Sequence, residues 1–181
     1  DGRMIEFDGV SKWYGQVSAV VDFSARIDGG IVGLVGRNGA GKSTLLGLAA
    51  GLLRPSSGIV RVDGDSPARP SARRTLALCP DIDAFAEWRS GLGFVASMLR
   101  LAGEPRRAAF DAAHEAMTSL GLGEAMHRPL RGYSKGMRQR TKLALALARR
   151  PRVLLLDEPM NGLDPVARRD VMKLLEDLAA A

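Results

Sequence analysis

The chain has 181 residues, of which 46% are hydrophobic and 25% charged, a balance that suits one substantial globular domain with room for an inserted subdomain and excludes two large ones. Its formal charge of +6 comes from 26 basic against 20 acidic residues, but the arginines scatter over loops and helix ends (Arg73-Arg74, Arg106-Arg107, Arg149-Arg150) and aromatics make up only 5%, so the excess reads as solvated surface and nucleic acid is not expected as a partner. A lone Cys79 excludes an internal disulfide and fits a reducing compartment, no apolar stretch is long enough to cross a bilayer, and Asp1-Gly2-Arg3-Met4 carries no signal pattern.

In chain order, residues 4–9 and 17–27 alternate apolar and polar side chains and predict two antiparallel strands, separated by Lys12-Trp13-Tyr14-Gly15-Gln16. Ile31-Val32-Gly33-Leu34-Val35 reads as a buried strand. It is followed by Gly36-Arg37-Asn38-Gly39-Ala40-Gly41-Lys42-Ser43-Thr44 and by a helix through Ala50. Another strand is expected over Ile59–Gly64, a loop at 67–70 and a short buried strand over Thr75–Cys79. From Trp88 to Leu120 the period becomes helical, with Phe94, Met98 and Leu101 on one face, then Phe110, Ala113 and Met117 on the face of a second helix starting at Arg106. A third helix spans Lys135 to Arg149, Pro151 stops it, and Val153–Leu156 reads as a strand buried on both faces. Asp164-Pro165 starts a last helix, inside which the chain is expected to stop. The expected fold is α/β: a core with a mixed sheet around a phosphate loop, an N-terminal antiparallel β subdomain and a helical subdomain inserted at 82–132, all in one domain over 1–181 that is truncated at its C-terminus.

Gly36–Thr44 fits the pattern G-x-x-x-x-G-K-[ST], and its strand and helix flanks are what that pattern needs. Backbone N–H groups and a helix N-terminus then converge on phosphate oxygens. Gly36, Gly39 and Gly41 let the backbone curl, Lys42 carries charge to the β/γ oxygens, and Ser43 offers a hydroxyl to Mg²⁺. Asn38, Ala40 and Thr44 complete the cradle. The second element is Val153-Leu154-Leu155-Leu156-Asp157-Glu158-Pro159. A buried strand ending in acids places Asp157 where it can hold Mg²⁺, and Glu158 where it can orient a water and accept its proton. The third is Tyr133-Ser134-Lys135-Gly136-Met137-Arg138. Ser134 is a good helix N-cap, and the positive end of the helix it opens attracts phosphate. Alone this would be an ordinary capped helix; its place shortly before an Asp-Glu strand gives it meaning.

With these three motifs in this order, the chain resembles the nucleotide-binding domain of ATP-binding cassette (ABC) proteins over essentially its whole length, most of all bacterial export systems. Gly36–Thr44 resembles the Walker A loop, Ser134–Arg138 a variant signature loop, and Val153–Glu158 the Walker B strand. The resemblance implies ATP and Mg²⁺ as ligands, Lys42 and Glu158 as catalytic groups, Tyr14 as the aromatic that stacks on adenine, and Asn161-Gly162-Leu163-Asp164 as a loop at a dimer interface. It also implies a second nucleotide-binding domain stacked head to tail, with Ser134 and Gly136 reaching the partner's γ-phosphate. Separate membrane-spanning permease subunits would hold the chain on the cytoplasmic face of the membrane. Two positions depart from the family pattern. Asp81 stands where glutamine is usual, a shorter acid that could contact metal or water. A histidine usual beyond Walker B has no counterpart, since His114 and His127 both lie upstream. The competing readings are a soluble ABC ATPase acting on ribosomes or nucleic acid, and a P-loop kinase or GTPase. The first usually joins two cassettes or carries long insertions; the second lacks a use for the Ser134 loop, and no N-K-x-D run is present.

Overall fold

The computed structural model describes residues 5–180; Met4, which the alternation places in the first strand, lies outside them. Two compact units are present, one reaching Ala77 and including the last residues of the C-terminal helix, the other spanning Leu78–Leu178. The fold is α/β, with an antiparallel sheet and parallel strands, as expected.

The first unit is built on β1 (Ile5–Tyr14) and β2 (Val17–Ile27), an antiparallel hairpin whose register runs from Ile5 opposite Ile27 to Tyr14 opposite Val17. The turn is Gly15-Gln16 alone, so Trp13 and Tyr14 are strand residues rather than part of a five-residue loop. A two-residue turn matches the twist of the flanking strands, and the left-handed φ of 60° at Gly15 meets its demand. After α1 (Lys42–Ala49), β3 (Ser57–Val62) pairs antiparallel with the other edge of β1, giving the order β2-β1-β3. Ile5, Phe7, Val10, Val60 and Val62 are buried along these strands, Phe7 meets Phe23 edge-on at 5.3 Å, and α1 lays Leu45, Leu48 and Ala49 into the same core.

One expected strand is absent. Residues 31–35 carry no strand, and Ile31, Val32, Leu34 and Val35 are exposed, Val35 at 95%. An apolar run becomes a strand only when a neighbour supplies its hydrogen bonds, and in this unit β2, β1 and β3 complete their ladders without it. Pro70–Thr75 forms the short helix α2, with Pro70 in its first turn, and leads straight into β4 (Leu76–Cys79).

The second unit is mainly helical. α3 (Gly91–Leu101), α4 (Arg106–Ser119) and α5 (Lys135–Leu147) pack on one another. The buried face of α4 is Ala109, Ala113, Ala116 and Met117, while Phe110 is exposed; on α3 Leu101 is exposed and Leu92, Phe94, Val95 and Leu99 are buried. The periodicity therefore located both helices, and Phe94, Ala113 and Met117 are buried as read, but Leu101 and Phe110 are not, because on α4 the alanines Ala109, Ala113 and Ala116 let the helix axes approach closely. β5 (Val153–Leu156) pairs with β4, and α6 (Pro165–Ala180) follows. Val153 and Leu155 are buried and Leu154 and Leu156 half-buried, an alternation rather than burial on both faces. No helix among the described residues is long and apolar enough to cross a membrane.

Candidate nucleotide site

In the first unit, α1 opens from Gly41, whose φ of 86° is left-handed and which offers no side-chain cap. A Cβ at Gly41 would stand 2.3 Å from the carbonyl oxygen of Ala19 on β2, so no other residue fits there. Ahead of it Gly36, Asn38, Gly39 and Ala40 form an exposed loop, tightened by the Ala40 N–H donating to Arg37 O at 3.1 Å. Lys42 folds back across this loop, donating its Nζ to Gly36 O at 2.9 Å and to Arg37 O at 3.0 Å. Ser43 is exposed and Thr44 half-buried at the start of α1. Backbone donors with no side-chain acceptor, a helix N-terminus and a lysine ammonium together fit an anion such as a nucleotide phosphate. Tyr14, the last residue of β1, keeps 48% of its surface, with the Lys12 ammonium 5.2 Å from its ring centroid.

In the second unit, the acidic end of β5 is fastened by the Asp157 N–H, which donates to Cys79 O at 2.9 Å. Glu158 follows, exposed, with a left-handed φ of 49° that a non-glycine residue adopts only when its surroundings impose it. The constraint is visible. The Asn161 N–H donates to Glu158 O at 3.0 Å, and the buried Gln139 of α5 donates Nε2 to Pro159 O at 3.0 Å. Burial pushes the Cys79 thiol up to about 11, with Lys142 pulling it back and Asp157 and Asp81 adding to the rise.

Ser134 caps α5 as expected, its Oγ accepting from the Met137 N–H at 3.3 Å. Gly136 lies in the first turn, where a Cβ would come within 3.3 Å of Gly162 O, so the glycine admits the 161–163 segment against the helix. Lys135 donates to Asn161 Oδ1 at 3.1 Å, and Asn161 Nδ2 donates to Asp81 Oδ1 at 3.1 Å. Arg138 forks onto Glu87 at 2.7 and 2.8 Å, holding that carboxyl below the usual range by hydrogen bonding. Asp81 thus meets Asn161 and, through its carbonyl, Lys142 at 2.7 Å. No group of three or more His, Cys, Asp or Glu among the described residues is arranged to hold a metal by itself, so any Mg²⁺ here needs hydroxyl, water or phosphate oxygens besides a carboxylate.

Gln139 and Lys142 were not singled out from the sequence as site residues. Their signal was available: both lie on the otherwise apolar face of α5 with Leu143 and Ala146, and a polar residue on a buried stripe requires a partner.

Comparison with known proteins fits this geometry. The family described as ABC transporter matches residues 21–161. The chain is 37% identical over 182 residues to the daunorubicin/doxorubicin resistance ATP-binding protein DrrA of Streptomyces peucetius, covering 99% of this chain and 55% of that protein. It is 38% identical over 196 residues to the methionine import ATP-binding protein MetN of Myxococcus xanthus, covering 97% and 56%. It superposes with a TM-score of 0.81 and 27% identity on cbiO1 of Clostridium perfringens, part of the ABC transporter complex cbiONQ, covering 99% of this chain and 75% of that one. The chain spans a little over half the length of these two curated relatives. With a glycine-rich loop opening a helix, an acidic strand end and a serine-capped helix in the order that the family model spans, the chain belongs to the ABC transporter family and is homologous to its ATP-binding subunits.

Proposed function

We propose that the chain binds and hydrolyses ATP as the nucleotide-binding part of a membrane transporter, and that the observation carrying this reading is the uncapped N-terminus of α1 beneath the Lys42 ammonium. In this reading the loop Gly36, Asn38, Gly39, Ala40, Gly41, Lys42, Ser43 and Thr44 takes the phosphates, and Tyr14 stacks on adenine. Ser43 and Asp157 hold Mg²⁺, with Asp81 a further oxygen donor; the ion, when bound, neutralises charge on the phosphate oxygens. Glu158, exposed and held in a constrained turn, orients the attacking water and accepts its proton. Ser134 and Gly136 meet the γ-phosphate held by a second nucleotide-binding domain stacked head to tail, and residues 82–132 act as an inserted helical subdomain. Permease subunits hold the protein on the cytoplasmic face of the membrane.

We assign the direction as export. The Tyr133–Met137 run supports it, as does the likeness to DrrA, a resistance protein; the likeness to MetN, an import protein, is of similar degree, so transport in vesicles reconstituted with the permease decides the direction. The central test is the mass in solution of the Glu158→Gln variant by light scattering. A dimer that requires Mg²⁺-ATP supports the reading. A monomer that nonetheless binds ATP, in a form extended to the length of the relatives, overturns the shared site, and retention of RNA at moderate salt would favour a ribosome-associated ATPase instead.

A further inference from the structure

We propose that Lys142 is a positioning residue: it latches the 81–83 segment onto α5 and so fixes Asp81 beside the acidic end of β5. Its side chain is 8% exposed in the middle of the helix, and its Nζ lies 2.7 Å from Asp81 O and 3.0 Å from Asp83 Oδ1. A lysine ammonium in such a place must be desolvated, which a helix facing an apolar neighbour would not require. Replacing a buried ion pair as a whole by apolar side chains is often neutral or stabilising, whereas removing one partner alone is destabilising, so the Lys142–Asp83 pair is not a requirement of the core, and its role lies in what it holds. What it does locally is visible. The segment it grips leaves β4 directly after Cys79, whose carbonyl receives the Asp157 N–H. The Asp81 carboxylate is then held by Asn161, which also accepts from Lys135 one residue inside α5.

The chain of contacts Lys142 to Asp81 to Asn161 to Lys135 thereby returns to the helix where it began. α5, the 81–83 segment and the turn after Glu158 become one closed bracket, fastened at its far end by Lys142. Without that fastening, the Asp81 side chain is held, among the described residues, by the exposed Asn161 alone.

Cys79 supplies a native reporter. It is the only cysteine in the chain and is 0% exposed, two residues ahead of Asp81. Loss of the Lys142 ammonium by itself raises the Cys79 thiol pKa and slows labelling. Maleimide labelling of the full chain without nucleotide should nonetheless be at least tenfold faster in Lys142→Met than in wild type, close to wild type in Lys142→Arg, and intermediate in Asp83→Asn, which keeps the ammonium, with far-UV circular dichroism reporting the fold. Labelling of Lys142→Met within twofold of wild type overturns the latch. If that variant does not fold, Asp83→Asn decides, and a wild-type rate there overturns it equally. The positioning role rests on the proposed ATPase reading, and there Lys142→Met should lower kcat about tenfold with KM unchanged and Lys142→Arg should restore it. Faster labelling with unchanged kcat overturns the positioning role. Failure of wild type to hydrolyse ATP would count against the ATPase reading, while the labelling, which needs no nucleotide, would still decide the latch.

Discussion

Helices α1 and α5 both open at loops that the sequence ties to phosphate, yet α1 starts from Gly41 with no side chain over its first N–H groups, whereas α5 starts from Ser134, whose hydroxyl already accepts from Met137. Around α1 the polar work is done by the backbone and by one ammonium that bridges two carbonyls. Around α5 it is done by side chains: Lys135 and Gln139 grip the turn after Glu158, Arg138 grips Glu87 and Lys142 grips the 81–83 segment. An N-terminus left open is suited to bind, because its donors await an acceptor. One that is satisfied and bracketed is suited to hold other groups in place. Substitutions near α1 should therefore register in affinity and backbone strain, and those on the α5 side in turnover and modest losses of stability.

The largest effect expected of this division is on Glu158→Gln, which should lower turnover at least 100-fold, about 3 kcal/mol of barrier, while ATP affinity by calorimetry stays near wild type; a parallel loss of affinity would erase the division. Gly41→Ala should destabilise the chain by about 2 to 3 kcal/mol in denaturant melts, since its Cβ meets Ala19 O. Lys42→Ala should weaken ATP binding about tenfold or more in the same calorimetric titration, and unchanged affinity would show that the ammonium serves only the loop carbonyls. Ser134→Ala should cost about 1 kcal/mol and no ATP affinity in the monomer. The smallest effect extends the comparison to α6, where the backbone N–H groups of Ala167 and Val166 hold the Asp164 carboxyl below its usual range. A depressed pKa stabilises above the unfolded value of about 4 and is lost as pH falls through the folded one. Thermal melts between about pH 5 and pH 2 should thus fall less steeply for Asp164→Asn than for wild type.

The parts that were legible in the sequence are those encoded by neighbours along the chain. Glycines before Lys42 announce a tight loop opening a helix, four apolar residues before Asp157 announce a strand, and Ser134 announces a helix start, and each of these elements stands at its expected position. Residues 31–35 misled because an isolated apolar run states a preference for burial but not the partner that would supply it. Phe110 and Leu101 misled because size was taken for burial, whereas the close approach of α4 is made by Ala109 and Ala113. The contacts of Lys142 and Asn161 with Asp81 span 61 and 80 residues of chain, beyond the reach of any local pattern.

The hairpin of β1 and β2 has a kinetic consequence. Its ladder closes over a two-residue turn and involves partners at most 22 residues apart, whereas the β1–β3 ladder joins residues as far apart as Ile5 and Val62. The short-range ladder is the cheaper to form, and the long-range one must first meet the entropy of closing the intervening chain. That intervening chain contains Gly36–Thr44 and all of α1, so the glycine-rich loop is an excursion closed at its far end when β3 docks. Substitutions in β3 should therefore slow the arrival of nucleotide-binding competence during refolding, while those at the Gly15-Gln16 turn should slow the earliest phase.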